Sequence, residues 1–234
     1  MNRLKGSVAV VTGAGRGIGK AISRALAAEG SCVVLAARSL REIEEVAAEC
    51  RTEGVEAVPI QTDITDPDHV RKMIHSTVDQ FGKIDILVNN AGIGFFKPVT
   101  SLSLEEFDAM WNVNMRGVFL TVKEVLPFME KAASGCIVNI GSLAGKNPVK
   151  EGAAYAATKW ALRGFAASLM LEVRDKNIRV VTIFPGSVDT AFRRQSGAGR
   201  NVTQPEDVGA AVVFAATVPS RSMVSELDVR PTRP

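Results

Sequence analysis

One tyrosine occurs in the 234-residue chain, Tyr155, and it precedes Lys159 by four positions in the stretch GAAYAATKWA. Residues at i and i+4 share one face of a helix, so the phenol and the ammonium can lie side by side. A free tyrosine has a pKa of about 10, and a neighbouring ammonium favours its phenolate form. The pair could therefore serve as a general acid–base near neutral pH, although an ordinary helical surface pair has the same spacing.

A second informative stretch, VVTGAGRGIGK, follows a β-branched run and precedes a segment with helical spacing. Its glycines do not match the GxGxxG dinucleotide pattern, because the third glycine of that pattern would fall on Ile18. Glycine allows a sharp turn and the close approach of a pyrophosphate, and a helix N-terminus attracts an anion. We therefore predict a nucleotide-binding loop around Gly13, Gly15, Gly17 and Gly19.

The end of the next β-branched run, LAARS, indicates which nucleotide binds. Proteins that bind NAD usually carry an Asp or Glu about 20 residues after the loop, where it bonds the adenosine ribose. Ala36 and Ala37 stand there in this chain, and Arg38 follows them. A guanidinium can pair with a 2′-phosphate, and Arg16 in the glycine loop could be a second partner. The prediction is NADP(H); a solvated surface charge is the alternative for Arg38.

The elements that must position these residues alternate along the chain. Seven short β-branched runs are separated by segments whose apolar residues have helical spacing. Near-continuous apolar runs are typical of strands buried on both faces of a parallel sheet. The pattern predicts an α/β, Rossmann doubly wound fold: a seven-stranded, mostly parallel sheet with helices on both faces, in one domain over 1–234. The predicted strands are 7–12, 32–37, 56–61, 84–89, 136–141, 178–184 and 224–229.

Two helices carry clear boundary signals. The segment 67–81 begins in DPDHV, with an acid and a proline at its entry, and ends before a glycine in QFGK. Ser103 precedes Glu106 by three residues, which is the spacing of a capping box and predicts a long helix from there to about Lys131.

In this order, these motifs resemble those of the short-chain dehydrogenase/reductase family, and the resemblance covers nearly all of the chain. It is similar in particular to the NADP-preferring branch, which includes 3-oxoacyl-carrier-protein reductases and generic carbonyl reductases. The matching positions are Gly13, Gly17 and Gly19 in the loop, Asp63 in QTDITD, Asn89–Gly92 in NNAG, Asn114 in NVNMRGVF, Ser142 in NIGSLAG, Tyr155 and Lys159, Pro185–Gly186, and Val188 and Thr190 in SVDT.

The resemblance implies a role for each reacting residue. Tyr155 would protonate a carbonyl oxygen as hydride arrives from the nicotinamide, and Ser142 would hold that oxygen by a hydrogen bond. Lys159 would bind the nicotinamide ribose and favour the phenolate, and Asn114 would anchor a water that supplies protons. The cofactor-binding set is Gly13, Gly15, Arg16, Gly17, Ile18, Gly19, Arg38, Asp63, Ile64, Asn90, Ala91, Gly92, Tyr155, Lys159, Pro185, Gly186, Val188 and Thr190.

The implied function is NADPH-dependent reduction of a ketone or aldehyde, or the reverse oxidation. An NAD-linked alcohol dehydrogenase is one alternative. A non-catalytic NADP-binding sensor or scaffold is another, although such proteins usually lack a reacting residue. The substrate stays open between a 3-oxoacyl thioester and a generic carbonyl compound. Phe95 and Phe96 either line the substrate cleft or pack within their loop, and Arg193 and Arg194 either meet an anionic substrate or lie on the surface.

Composition argues against several other classes. The net charge is +3 with scattered basic residues, so we expect no nucleic-acid partner. No apolar run approaches the roughly 20 residues that cross a bilayer, and the first residues do not read as a signal peptide, so we expect a cytoplasmic protein without a membrane partner. Three cysteines without a CxxC pair, and two histidines off the apolar stripe of their helix, predict no metal site. The resemblance implies a homodimer or homotetramer.

Overall fold

The computed structural model describes residues 2–190, 192 and 202–232. Arg193 and Arg194 lie outside these residues. All seven predicted strands are present and form one sheet. Their bounds are β1 Val8–Thr12, β2 Cys32–Ala37, β3 Ala57–Gln61, β4 Ile86–Asn89, β5 Gly135–Ile140, β6 Ile178–Pro185 and β7 Glu226–Val229.

The sheet has the order β3-β2-β1-β4-β5-β6-β7, and every neighbouring pair is parallel. The doubly wound prediction is confirmed, with all strands parallel rather than most of them. The order reverses between β1 and β4, and in such sheets ligands bind outside the carboxyl ends of the strands at this switch point. The glycine loop follows β1 and the NNAG motif ends β4, so the topology brings these two motifs together.

Helices cover both faces of the sheet, as predicted. One core cluster packs three helices against the sheet, and a second cluster packs three others against the opposite face. The first face carries α1 Gly17–Ala28, α2 Leu40–Arg51 and α7 Pro205–Thr217, and the second carries α3 Pro67–Phe81, α5 Gly117–Ala132 and α6 Ala153–Val173. Within the described residues, no helix is long and apolar enough to cross a membrane.

The boundary signals act as expected. Asp66 accepts hydrogen bonds from the amides of Asp68 and His69 at the start of α3, and Gly82 ends that helix in the left-handed conformation. Ser103 and Glu106 form the predicted capping box at the start of α4, Leu104–Trp111.

The predicted single helix to about Lys131 is instead interrupted. A π-helical turn, Asn112–Arg116, joins α4 to α5. Such single π turns occur often at functional sites because they reposition the side chains of one turn. The turn here contains Asn114, whose side chain is buried and bonded to residues on two other segments.

Candidate active site

Tyr155 and Lys159 lie on one face of α6, and both are buried, with 6% and 5% of their surface exposed. The Lys159 Nζ lies 5.8 Å from the centroid of the Tyr155 ring. They do not form the exposed surface pair that was the alternative to an acid–base role. Burial of a lysine is rare unless the protein uses the charge, so the arrangement indicates function.

Lys159 reaches the carboxyl edge of the sheet. Its Nζ donates a hydrogen bond of 3.0 Å to the Ile140 carbonyl at the end of β5. Burial lowers the pKa of Lys159 to about 8, from an ordinary value of 10.5. A Cβ on Gly92 would lie 3.6 Å from this Nζ and 3.3 Å from Asn114 Oδ1. The bare glycine therefore leaves space where the NNAG motif, Asn114 and Lys159 meet.

Asn114 is locked by three hydrogen bonds. Its Oδ1 accepts from the Ile93 amide at 2.9 Å, and its Nδ2 donates to the Ile93 carbonyl at 2.9 Å and to Thr158 Oγ1 at 3.0 Å. Thr158 in turn donates to the Tyr155 carbonyl at 2.8 Å. Asn114 thus ties the segment after β4 to the turn of α6 that carries Tyr155. Sequence-based prediction missed Thr158, because it belongs to none of the matching motifs. Its position between Tyr155 and Lys159 is the one sequence feature that could have indicated it.

Ser142 lies two residues after the end of β5, where it caps a short turn, Leu143–Gly145, by accepting a hydrogen bond from the Ala144 amide at 3.1 Å. A Cβ on Gly145 would lie 2.8 Å from the Lys159 carbonyl oxygen, so this turn packs directly on α6. The half-buried serine hydroxyl is therefore held beside the helix that carries Tyr155 and Lys159.

The turn after Ser142 is also fastened to β7 by ion pairs. Lys146 Nζ lies 2.8 Å from Glu226 Oε2 and 2.7 Å from Asp228 Oδ1, and Arg163 Nε on α6 lies 2.6 Å from Glu226 Oε1. The hydrogen bond from Arg163, assisted by Lys146, lowers the pKa of Glu226 despite its partial burial. Burial alone would raise the pKa of Asp228, but hydrogen bonds from Lys146 and Arg230 bring it below its ordinary value.

The glycine loop has the backbone that its composition predicts. Gly13 and Gly17 have φ of +64° and +53°, in the left-handed region that favours glycine. A Cβ on Gly19 would overlap the Gly13 carbonyl oxygen, so the loop and α1 pack without space for a side chain. Arg16 stands at the N-cap of α1, and its side chain makes no capping hydrogen bond within the described residues. A helix N-terminus with uncapped amides and bare glycines suits a pyrophosphate.

Thr12 and Asn90 join the loop to the end of β4. Thr12 Oγ1 accepts from the amides of Asn90 and Ala91 at 3.0 and 3.1 Å. Asn90 Nδ2 donates to the carbonyls of Thr12 and Gly13 at 2.9 and 3.1 Å. Asn90 and Ala91 belong to the predicted cofactor set, whereas Thr12 was missed because a threonine that ends a strand is common.

The β2 end carries Ala36, Ala37 and an exposed Arg38, as the sequence requires. An acid nevertheless approaches the loop from elsewhere. A Cβ on Gly15 would lie 2.8 Å from the Glu42 Cβ and 2.9 Å from Glu42 Oε2. Glu42 is in the first turn of α2, where its amide donates to the Ser39 cap. The prediction of NADP(H) considered acidic residues only at the end of β2, so it missed the Glu42 carboxylate.

Asp63 and Ile64 follow β3. Asp63 Oδ1 accepts hydrogen bonds from the Thr65 amide and hydroxyl at 2.9 and 2.8 Å, so this carboxylate is held within its own turn. Ile64 is 7% exposed and fills the place of the missing side chain at Gly117. The Asp63 amide donates to His69 Nδ1 at 3.4 Å, which is a local structural role for that histidine.

The segment after β6 returns toward the glycine loop. The Gly186 amide, after Pro185, donates to the Val229 carbonyl at 2.8 Å. Val188 forms an isolated parallel bridge with Thr203. A Cβ on Gly17 would lie 3.3 Å from Thr190 Cγ2, so Thr190 lies against the loop. The structure therefore brings Thr190, the last predicted member of the cofactor set, back to the glycine loop, and pairs Val188 with Thr203 instead.

No group of three or more His, Cys, Asp or Glu side chains among the described residues could hold a metal ion. Cys32 and Cys136 lie in strands, as expected for small apolar residues, and burial raises the pKa of Cys136 to about 11. His69 and His75 leave about half of their side chains exposed.

The profile of the short chain dehydrogenase family matches residues 7–201 of the sequence. The chain belongs to the short-chain dehydrogenase/reductase family. Its members use a nicotinamide cofactor and interconvert CH–OH and C=O groups, so this chain is an oxidoreductase of that kind. Together with the uncapped helix N-terminus and the bare glycines, the residues present fit such a cofactor.

Three comparisons illustrate how similar its relatives are. An uncharacterized oxidoreductase of Staphylococcus aureus is 38% identical over 99% of this chain and 100% of its own length. A metagenomic short-chain oxidoreductase solved with NADP has a TM-score of 0.88, 38% identity and coverage of 99% and 100%. A 3-ketoacyl-(acyl-carrier-protein) reductase from Brucella melitensis solved with NADH has a TM-score of 0.89, 32% identity and coverage of 98% and 99%.

Proposed function

We propose that this short-chain dehydrogenase/reductase is an NADPH-dependent carbonyl reductase in which Tyr155 is the general acid–base. The observation that carries the proposal is the buried pair of Tyr155 and Lys159 on α6, beside the carboxyl edge of the sheet. When bound, the reduced nicotinamide supplies the hydride. Tyr155 gives its phenolic proton to the carbonyl oxygen of the substrate, and in the reverse direction its phenolate removes the alcohol proton.

The other three residues support this proton transfer. The positive charge of Lys159 favours the phenolate form of Tyr155 and therefore makes the phenol a stronger acid. The Ser142 hydroxyl would donate a hydrogen bond to the developing oxyanion, and its capped turn reduces its freedom to leave that position. Asn114 positions α6 through Thr158, and a water anchored beside it would return a proton to Lys159.

The preference for NADPH rests on Arg16 and Arg38. Both guanidiniums are exposed, and neither forms an ion pair with a carboxylate in the part of the chain that the structure describes. They are therefore available for a 2′-phosphate, while two alanines stand where NAD-binding proteins carry an acid. The relatives solved with NADP and with NADH show that the family alone does not decide the cofactor.

The test is the loss of reduced-nicotinamide absorbance with NADPH and NADH in parallel, against aldehydes, ketones, diketones and acetoacetyl thioesters. Tyr155→Phe should lower kcat by at least about 100-fold, because it deletes the proton donor and keeps the ring. Phe214→Leu, at a position 51% exposed on α7 and on the other face of the sheet from α6, is the control and should retain activity. Unchanged turnover in Tyr155→Phe would exclude the mechanism.

An NAD-linked alcohol dehydrogenase is the second candidate, and Glu42 is the observation that favours it. A carboxylate beside Gly15 could bond the ribose hydroxyls of NAD and would repel a 2′-phosphate. This candidate predicts turnover with NADH equal to or above that with NADPH, insensitive to Arg38→Ala and weakened by Glu42→Gln. The reductase proposal predicts that Arg38→Ala raises the KM for NADPH selectively.

The proposal extends to a homo-oligomer built on the helices that hold Asn114 and Tyr155. Large apolar side chains are exposed there: 76% of Leu104, 48% of Phe119 and 47% of Trp160. An apolar hollow between α4, the π turn, α5 and α6 continues this face. Sedimentation equilibrium should find a dimer or tetramer, and Phe119→Glu should dissociate it. We also place the enzyme in the reducing cytoplasm, which suits its three free cysteines.

A further inference from the structure

Three aromatic rings converge at the candidate active site. The Tyr155 ring centroid lies 5.1 Å from that of Phe96, with 54° between the planes, and 6.0 Å from that of Phe192, with 51°. These separations and tilts are those of favourable aromatic pairs. A Cβ on Gly94 would lie 3.0 Å from Tyr155 Cδ2, 3.1 Å from Phe96 Cε2 and 3.2 Å from Phe192 Cζ. The rings therefore meet above the backbone of Gly94, and we call this group the aromatic wall.

The aromatic wall is held from behind by apolar contacts. The Phe95 amide donates to the thioether of Met110 at 3.4 Å, and Met110 is fully buried. A Cβ on Gly152 would lie 3.4 Å from Phe96 Cδ1 and 2.9 Å from Val149 Cγ1, so Phe96 packs against the segment that leads into α6. Phe95 and Phe96 both pack on the cluster that contains Tyr155, which makes them part of the site rather than an isolated loop contact.

Two lysines beside the aromatic wall, Lys97 and Lys159, are already engaged by other groups. Lys97, next to Phe96 in sequence, has its Nζ 2.6 Å from Glu106 Oε1, and its amide donates to the Glu151 carbonyl at 2.7 Å. Lys159 is buried on the other side of Tyr155 and bonded to Ile140. Lys97 and Lys159 are therefore already engaged, and the aromatic wall itself presents ring faces and edges to a substrate.

We propose that this site selects uncharged carbonyl compounds whose carbonyl carbon carries a flat aromatic or conjugated group, and that Phe96 is the specificity-determining residue. The proposal rests on the proposed reductase function. A flat ring can pair with Phe96 while its carbonyl reaches Tyr155, which adds aromatic contacts to apolar burial. A carboxylate or a row of hydroxyls placed against the rings would lose water, and the ring faces themselves offer no hydrogen bond in return, which costs affinity.

The experiment compares substrates that differ in one property. Ethyl benzoylformate and benzoylformate share the ring and the ketone and differ in charge, whereas ethyl pyruvate keeps the ester and lacks the ring. Dihydroxyacetone represents a polyhydroxy ketone. With the full-length enzyme and NADPH, we expect kcat/KM for ethyl benzoylformate to exceed that for benzoylformate by about 100-fold or more, and that for ethyl pyruvate by about tenfold. Equal or higher kcat/KM for benzoylformate or dihydroxyacetone would overturn the proposal.

Phe96→Leu keeps an apolar side chain and removes the ring. It should raise the KM for ethyl benzoylformate by roughly two- to tenfold, with kcat and the KM for ethyl pyruvate little changed. Phe214→Leu is the matched control, because Phe214 is 51% exposed on α7, on the opposite face of the sheet. If Phe96→Leu lowers kcat/KM for ethyl benzoylformate and for ethyl pyruvate by the same factor, the role of Phe96 is structural only and it does not determine specificity.

A binding measurement separates this inference from the proposed function. The thermal unfolding temperature of the NADP-bound protein should rise more with ethyl benzoylformate than with benzoylformate, because a ligand that binds the folded state stabilises it. If no ketone is reduced but this order of shifts holds, the reductase proposal fails and the site assignment stands. Equal shifts for the ester and the acid would refute the site assignment, whatever the turnover.

Discussion

Lys159→Met should make the protein more stable at neutral pH while abolishing its activity. Methionine has nearly the length of lysine and no charge, so it can occupy the buried site between α6 and the end of β5 without the cost of a desolvated ammonium. Burial lowers the pKa of Lys159 to about 8, from 10.5. This difference corresponds to about 3 kcal/mol of destabilisation of the folded, charged protein.

The sign of the pH dependence follows from proton binding. Between pH 8 and pH 10.5 the unfolded chain keeps a proton on Lys159 that the folded chain has released, so the stability of the wild type rises by about 3 kcal/mol across this window. Below pH 8 the ammonium of Lys159 is charged in the folded protein, which is then destabilised by the full amount of about 3 kcal/mol. The variant also loses the hydrogen bond to the Ile140 carbonyl, worth about 1 kcal/mol. The variant should therefore be about 2 kcal/mol more stable at pH 7 and about 1 kcal/mol less stable near pH 11.

Urea unfolding of both proteins at equal concentration, from pH 6.5 to pH 11, measures this difference. In a chain of this size, about 2 kcal/mol should also raise the midpoint of thermal unfolding by about 4 to 8 °C at pH 7. Lys72→Met, at an exposed position on α3, is the control and should change stability by less than about 0.5 kcal/mol throughout. A stability difference between Lys159→Met and wild type that does not vary with pH would refute the reasoning.

Three further predictions concern close packing, cofactor choice and the ion pairs of β7. Gly19→Ala should lower the free energy of unfolding by about 3 kcal/mol, since the new Cβ would overlap a backbone oxygen. Gly164→Ala, at a position in α6 with nothing within 4 Å, should instead raise the free energy of unfolding by about 0.5 kcal/mol, because alanine is more favourable than glycine within a helix. Similar urea midpoints for the two variants would contradict this prediction. Glu42→Gln should lower the KM for NADPH about two- to fivefold in initial-rate assays, because it removes a negative charge that would repel the 2′-phosphate. An unchanged ratio of the KM values for NADPH and NADH would argue against the proximity of Glu42 to that phosphate. Lys146→Met should cost about 1 kcal/mol of the free energy of unfolding at pH 7, because it removes the ammonium between two carboxylates whose pKa values are lowered in the folded protein. In urea titrations this loss should shrink as the pH falls and the two carboxylates become protonated, and a loss that does not vary with pH would count against the ion pairs.

Much of the fold follows from local pattern. Each buried strand is a short β-branched run, and α2, α3 and α4 begin at a side-chain cap, so all seven strands and the boundaries of α3 could be predicted from neighbouring residues. The motifs Gly13–Gly19, NNAG and Tyr155–Lys159 each lie at a strand end or on one helix. The parallel topology then brings the strand ends to one edge, which is why the sequence also indicated a common site.

Contacts between distant segments depended on the tertiary structure. The spacing of Tyr155 and Lys159 placed both on one helical face, but only the packing of α6 on β5 buried the ammonium and lowered its pKa. Glu42 reaches Gly15 because α2 packs beside the loop. The π turn that orients Asn114, and the convergence of Phe96 on Tyr155, likewise join residues far apart in the chain. Periodicity and capping are local properties that a sequence displays directly, whereas desolvation and close approach exist only after the segments have packed together.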